Sequence, residues 1–115
     1  MTDLRYNPGQ AYLANFIRDV RENMGITQKE LCSMTGLKTP TLQGVEAYYR
    51  MLPESTLQPL ANFLGVELGY LQLLRDLQEL ARLISLTGLS DAVKERFYAL
   101  CAEAAGIDPE GEPDA

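Results

Sequence analysis

The chain has no histidine, and its two cysteines, Cys32 and Cys101, lie far apart with no Cys-x-x-Cys spacing. Zinc sites of the Cys2His2 kind and imidazole acid–base catalysis are therefore excluded. The cysteines read as reduced, small apolar side chains. No carboxylate pair stands at a spacing useful for proton transfer, and no glycine-rich loop of the phosphate-cradling kind is present. Tyrosine or cysteine without a base seldom makes a nucleophilic site. These residues imply a protein that binds rather than catalyses, with no metal and no cofactor. The polar stretches 38-KTPTLQG-44 and 47-AYYR-50 carry further hydrogen-bonding side chains in Thr39, Thr41, Gln43, Tyr48, Tyr49 and Arg50.

The elements that must position these residues read as helices throughout. Tyr12, Phe16, Ile17 and Val20 recur at helical spacing, which predicts a first helix over roughly 10–24, stopped by Gly25. Thr27 and Glu30 form a T-x-x-E capping box at the head of a short second helix, with Leu31 and Met34 inward and Cys32 beside them. Gly36 marks a turn. Pro40 fits the first turn of a third helix that buries Leu42 and Val45. After the loop Ala47–Pro53, a fourth helix turns Leu57, Leu60, Ala61 and Leu64 inward. From Leu68 an apolar stripe of Leu71, Leu74, Leu77, Leu80/Ala81 and Ile84 predicts a long fifth helix, broken at Thr87-Gly88. Ser90 caps a last helix with Val93, Phe97, Leu100/Cys101 and Ala104 on one face. The expected fold is all-α. Residues 10–74 form one unit, 75–105 a C-terminal helical region, and 106–115, rich in Gly, Pro and acids, a disordered acidic tail.

Two short helices joined by a tight glycine turn make helix-turn-helix geometry. The full run Arg21, Gly25, Ile26, Thr27, Gln28, Leu31, Cys32 (for the usual Ala), Gly36, Leu37, Leu42, Val45 and Glu46 resembles the Cro/repressor-type (XRE) helix-turn-helix family of transcriptional regulators. Leu60-Ala61, Leu64-Gly65-Val66 and Leu71 extend the likeness, which covers roughly 12–74. It implies a five-helix DNA-binding domain that docks its third helix in the major groove of double-stranded DNA. Gln28 matches the family's phosphate contact, and Arg21 with Glu46 its buried salt bridge. Thr39, Pro40, Thr41, Gln43 and Gly44 match the exposed face of the recognition helix, and Lys38 stands beside the phosphates where a capping Ser is usual. Three positions depart from the pattern. Pro40 offers only a ring for a thymine methyl. Gly44 offers no side chain, which means either close approach to another backbone or to DNA, or loss of base reading. The loop 47-AYYRM-51 replaces the family's Asn-Gly and basic residue; Tyr49 and Arg50 can still reach phosphates, or one tyrosine packs on the core while Arg50 is solvated.

The formal charge of −6 is unevenly spread: residues 1–74 carry a net −1 and residues 75–115 a net −5. A near-neutral first part can still present a basic face to phosphates. The stripe of residues 68–84 and the last helix either close the monomer's core or pair two copies. The second is preferred, with Leu77, Leu80, Ile84, Val93, Phe97 and Leu100 as the homodimer interface. No apolar run approaches the ~20 residues of a membrane span, and no secretory signal opens the chain, so a soluble cytoplasmic protein is expected. The resemblance implies a regulator of bacterial, phage or plasmid type, read first as a repressor on an inverted repeat. The alternatives are an antitoxin whose acidic C-terminal region meets a basic protein partner, and a helix-turn-helix module that has kept only protein binding.

Overall fold

A computed structural model describes residues 5–107. Its elements are α1 (Tyr12–Asn23), α2 (Gln28–Thr35), α3 (Thr39–Glu46), α4 (Leu57–Leu64), α5 (Leu68–Ser85) and α6 (Asp91–Ala104), with single 3-10 turns at Pro8–Gln10 and Glu54–Thr56. No strand occurs among the described residues, so the fold is all-α as the periodicity predicts. None of their helices is long and apolar enough to cross a membrane.

The helix boundaries follow local chemistry. Thr27 Oγ1 accepts from the Glu30 N–H at 3.0 Å while Glu30 Oε1 accepts from the Thr27 N–H at 2.7 Å, so the capping box is complete. Gly36 follows α2 at φ 82°, a left-handed conformation that costs glycine nothing. Ser90 Oγ accepts from the Val93 N–H at the start of α6.

α5 is the spine of the molecule, packing on α1, α4 and α6. Its buried line runs Leu71, Leu74, Gln78, Ala81, which departs from the all-apolar stripe expected. Leu77 is half-buried and Leu80 is exposed; the fully buried place between Leu74 and Ala81 belongs to an amide. The reason lies in α1. That helix begins after Ala11, which has no side chain to cap it, and Gln78 Oε1 accepts from the Leu13 and Ala14 N–H groups at 2.9 and 3.2 Å. A residue 65 positions away thus satisfies two amides that the first turn of any helix leaves unpaired.

α5 runs unbroken through positions 74 and 75, and Ala81, Cys101 and Ala105 join the same core as Leu13, Ile17 and Leu60. The inner face of α6 is Tyr98, Cys101, Ala102 and Ala105; Ala104, expected inward, is exposed. Met34, also expected inward, is 57% exposed, and Cys32 takes the buried place beside Leu31. At the end of α6, Gly106 and Ile107 belong to its closing turn, with the Ile107 N–H on the Ala102 carbonyl at 2.9 Å. The expected tail therefore loses its first two residues to the helix end; its remainder, 108–115, lies outside the described residues.

Candidate nucleic-acid interface

The α2–turn–α3 unit is locked from below by one carboxylate. Glu46, at the end of α3, accepts from Arg21 Nε and Nη2 on α1, both at 2.9 Å, and from Gln28 Nε2 on α2, also at 2.9 Å. Arg21 Nη1 donates in addition to the Ile26 carbonyl at 2.9 Å. The Arg21 and Glu46 side chains are only 12% and 7% exposed, so the pair is dry and its charges are held by a complete set of partners. The Glu46 hydrogen bond is the main reason that the Arg21 guanidinium sits above its ordinary pKa. Such a bidentate pair fixes the angle between helices more than it adds net stability.

Gln28 is half-buried because its amide serves this pair. A carboxamide nitrogen carries two hydrogens, so one N–H at the first turn of α2 has no partner among the described residues.

On α3 itself, Lys38, Pro40 and Gln43 are exposed and Thr39 and Thr41 half-buried. Lys38 occupies the N-cap position in extended conformation and makes no side-chain cap, so the first amides of α3 are left without a protein side chain. Gly44 corrects the expectation of an exposed position: it is buried. A β-carbon placed there would meet Arg50 Cδ at 2.6 Å and Cγ at 2.8 Å. The close approach in the fold is thus made by a side chain and not by another backbone, at a glycine that costs a helix interior about 1 kcal/mol relative to alanine.

The chain reverses over α3 through an unusual residue. Tyr48 has φ 72°, the left-handed region that disfavours a side chain, and is the one non-glycine residue in it among those described. The N–H groups of Tyr48 and Tyr49 close on the Val45 and Gly44 carbonyls at 3.1 Å each, the paired bonds of a helix-ending Schellman turn. The tyrosine is held there by its far end. Its hydroxyl accepts from Arg18 Nη1 at 2.6 Å and donates to Asn15 Oδ1 at 2.8 Å, and its carbonyl accepts the Tyr6 N–H at 3.0 Å. Of the two tyrosines in the loop, Tyr48 is the one that packs and Tyr49 the exposed one.

The cations divide in the same way. Arg18 and Arg21 are engaged inside the domain, as are Arg75 with Glu54 and Arg82 with Glu79 in α5. Lys38 and Arg50 make no ion pair or hydrogen bond among the described residues, and neither does Lys29 on the first turn of α2. Lys29 was not singled out by the motif, which leaves that position open; its exposure and lack of a partner are visible only in the fold. Around α2 and α3 the near-neutral sum over 1–74 thus conceals a paired Glu46 below and unpaired Lys29, Lys38 and Arg50. No cluster of three Cys, Asp or Glu side chains among the described residues could hold a metal ion.

Of the side chains expected at a dimer interface, Leu80, Phe97 and Leu100 are exposed, the last by 61%, whereas Leu77, Ile84 and Val93 are half-buried. Leu83, Leu86 and Leu89 are exposed as well. Val93, Arg96, Phe97 and Leu100 line a cavity of about 220 Å³ on α6.

Residues 17–71, from the inner face of α1 to the first buried leucine of α5, match the helix-turn-helix family model. Comparison with curated proteins and with solved structures gives no match.

Proposed function

Since residues 17–71 belong to the XRE-type helix-turn-helix family, a family of DNA-binding regulators, we propose that this chain is a sequence-specific transcriptional repressor that binds an inverted-repeat operator as a homodimer. The observation that carries this reading is the α2–α3 unit: Glu46 holds the two helices and α1 together while Lys38, Pro40 and Gln43 stand exposed above. With α3 in the major groove, Gln43, Thr39 and Thr41 meet base edges and the Pro40 ring meets a thymine methyl. Gln28, Lys38 and Tyr49 meet the sugar–phosphate backbone and fix the register, and Arg50 in the loop beside them donates to the DNA as well. Two copies joined through the exposed leucines of α5 and α6 place two such helices on half-sites about one helical turn apart. Occupancy of the operator then excludes polymerase by bulk, with no cofactor.

A mobility-shift titration of the chain against its own upstream region tests this. Preference for that duplex over random DNA is expected, with Gln43→Ala relaxing the preference and Gln28→Ala weakening all duplexes alike. Equal binding to every sequence would defeat the repressor. Sedimentation at micromolar concentration should give twice the monomer mass; a monomer defeats the dimer. A second reading, an antitoxin occupied by a basic protein, is favoured by the net −5 of residues 75–115. Co-purification with a small basic protein encoded next door would select it.

A further inference from the structure

We propose that Gly44 and Arg50 act as one DNA-contacting unit, in which the missing side chain at 44 seats the loop arginine on the reading face of α3. The inference rests on the DNA-binding reading and adds to it what positions Arg50. Gly44 lies one turn beyond Pro40 and Thr41, so the three positions share a helix face. Without a β-carbon, that face has a shallow floor at 44, and the aliphatic stem of Arg50 fills it. The left-handed turn at Tyr48, closed by the Tyr49 N–H on the Gly44 carbonyl, is what brings the chain back over this spot. Arg50 is exposed and makes no hydrogen bond or ion pair among the described residues, whereas Arg18 and Arg21 on α1 both do.

The reading face of α3 otherwise carries short side chains, and only Gln43 is long. A guanidinium laid beside Pro40 and Thr41 gives that face a planar, two-pronged donor. Its partner is a pair of hydrogen-bond acceptors on DNA, of the kind found on a guanine edge or on a phosphate. Gly44 is then a positioning residue that touches no base.

The test compares wild type, Gly44→Ala, Arg50→Ala and the double variant by fluorescence anisotropy on a labelled duplex from the upstream region and on a scrambled duplex. Gly44→Ala and Arg50→Ala are each expected to weaken binding about tenfold, and the double variant to bind no more weakly than Arg50→Ala, as members of one unit do. Wild-type affinity in Gly44→Ala alongside a loss in Arg50→Ala, or losses that multiply in the double variant, would overturn the proposal. A loss confined to the upstream duplex identifies a guanine edge as the partner; equal losses on both identify phosphate. The double variant lacks the Cγ and Cδ that an alanine would strike and keeps only the Cβ at 3.2 Å, so it reports on position 44 even if Gly44→Ala alone folds poorly. Proton contacts between Arg50 Cδ and Gly44 Cα, measured by nuclear Overhauser effects without DNA, check the seating separately, and their absence also overturns it. Wild-type protein that binds no duplex at low salt would instead defeat the regulator reading, with those contacts still deciding the geometry.

Discussion

In the α1–α3 region one carboxylate gathers three donors from two other helices, and nearly every charged group has a partner or faces outward alone. In the α5–α6 pair the interior is apolar but for Gln78, and Leu80, Leu83, Leu86, Phe97 and Leu100 remain uncovered. The first region is specified by polar geometry, which has few solutions. The second is specified by apolar contact, which tolerates more than one and leaves a face to be covered.

Four measurements break or sharpen that contrast. Arg21→Ala strands Glu46 in a dry site, so urea unfolding should show a loss of about 3–5 kcal/mol. A loss below about 1 kcal/mol would mean that the polar hub does not specify the first region. Gln78→Leu makes α5 more apolar but leaves the Leu13 and Ala14 amides unpaired; the cost should be about 2 kcal/mol. A stabilised variant would show that apolar contact alone governs α5. The seam between the regions has its own signature. Burial, with Cys101 and Tyr98 nearby, pushes the Tyr12 phenol up to about 12. The neutral phenol is thus favoured in the fold, and its contribution is full below the ordinary value of 10 and lost as pH rises from 10 towards 12. Tyr12→Phe cannot ionise, so its urea midpoint should fall less than that of the wild type between pH 8 and pH 11; parallel falls would remove Tyr12 from the seam. Smallest of all, Met34→Ala should change stability by no more than about 0.5 kcal/mol, and a loss of 2 kcal/mol or more would return Met34 to the core.

Much of this is legible in the sequence. Thr27 with Glu30, Gly36 and Ser90 each declare a helix end through bonds made within a few residues, and Arg21 with Glu46 became legible through the resemblance of the whole run. Three features were not. Gln78 reads as a flaw in an apolar stripe until the uncapped head of α1 is placed beside it. Met34 and Cys32 both suit an inner position on an eight-residue helix, and only the neighbours decide between them. The sequence posed the choice at Gly44 between close approach and lost reading, but nothing local says that the approaching group is Arg50. In each case the deciding partner is supplied by the chain's return, at short range for Arg50 and at long range for Gln78.

The contacts of Tyr6 have a practical side. Its N–H straps the carbonyl behind α3, and its hydroxyl donates to Glu79 on α5. Both Tyr6 and Gln78 fall outside 17–71, as do Leu13 and Ala14, whose amides Gln78 caps. The borders within which the family is recognisable are therefore not the borders within which this chain is self-sufficient. An excised 17–71 peptide would keep α3 and lose the strap behind it and the head of α1, so dissection or domain grafting should carry residues 5–107 whole.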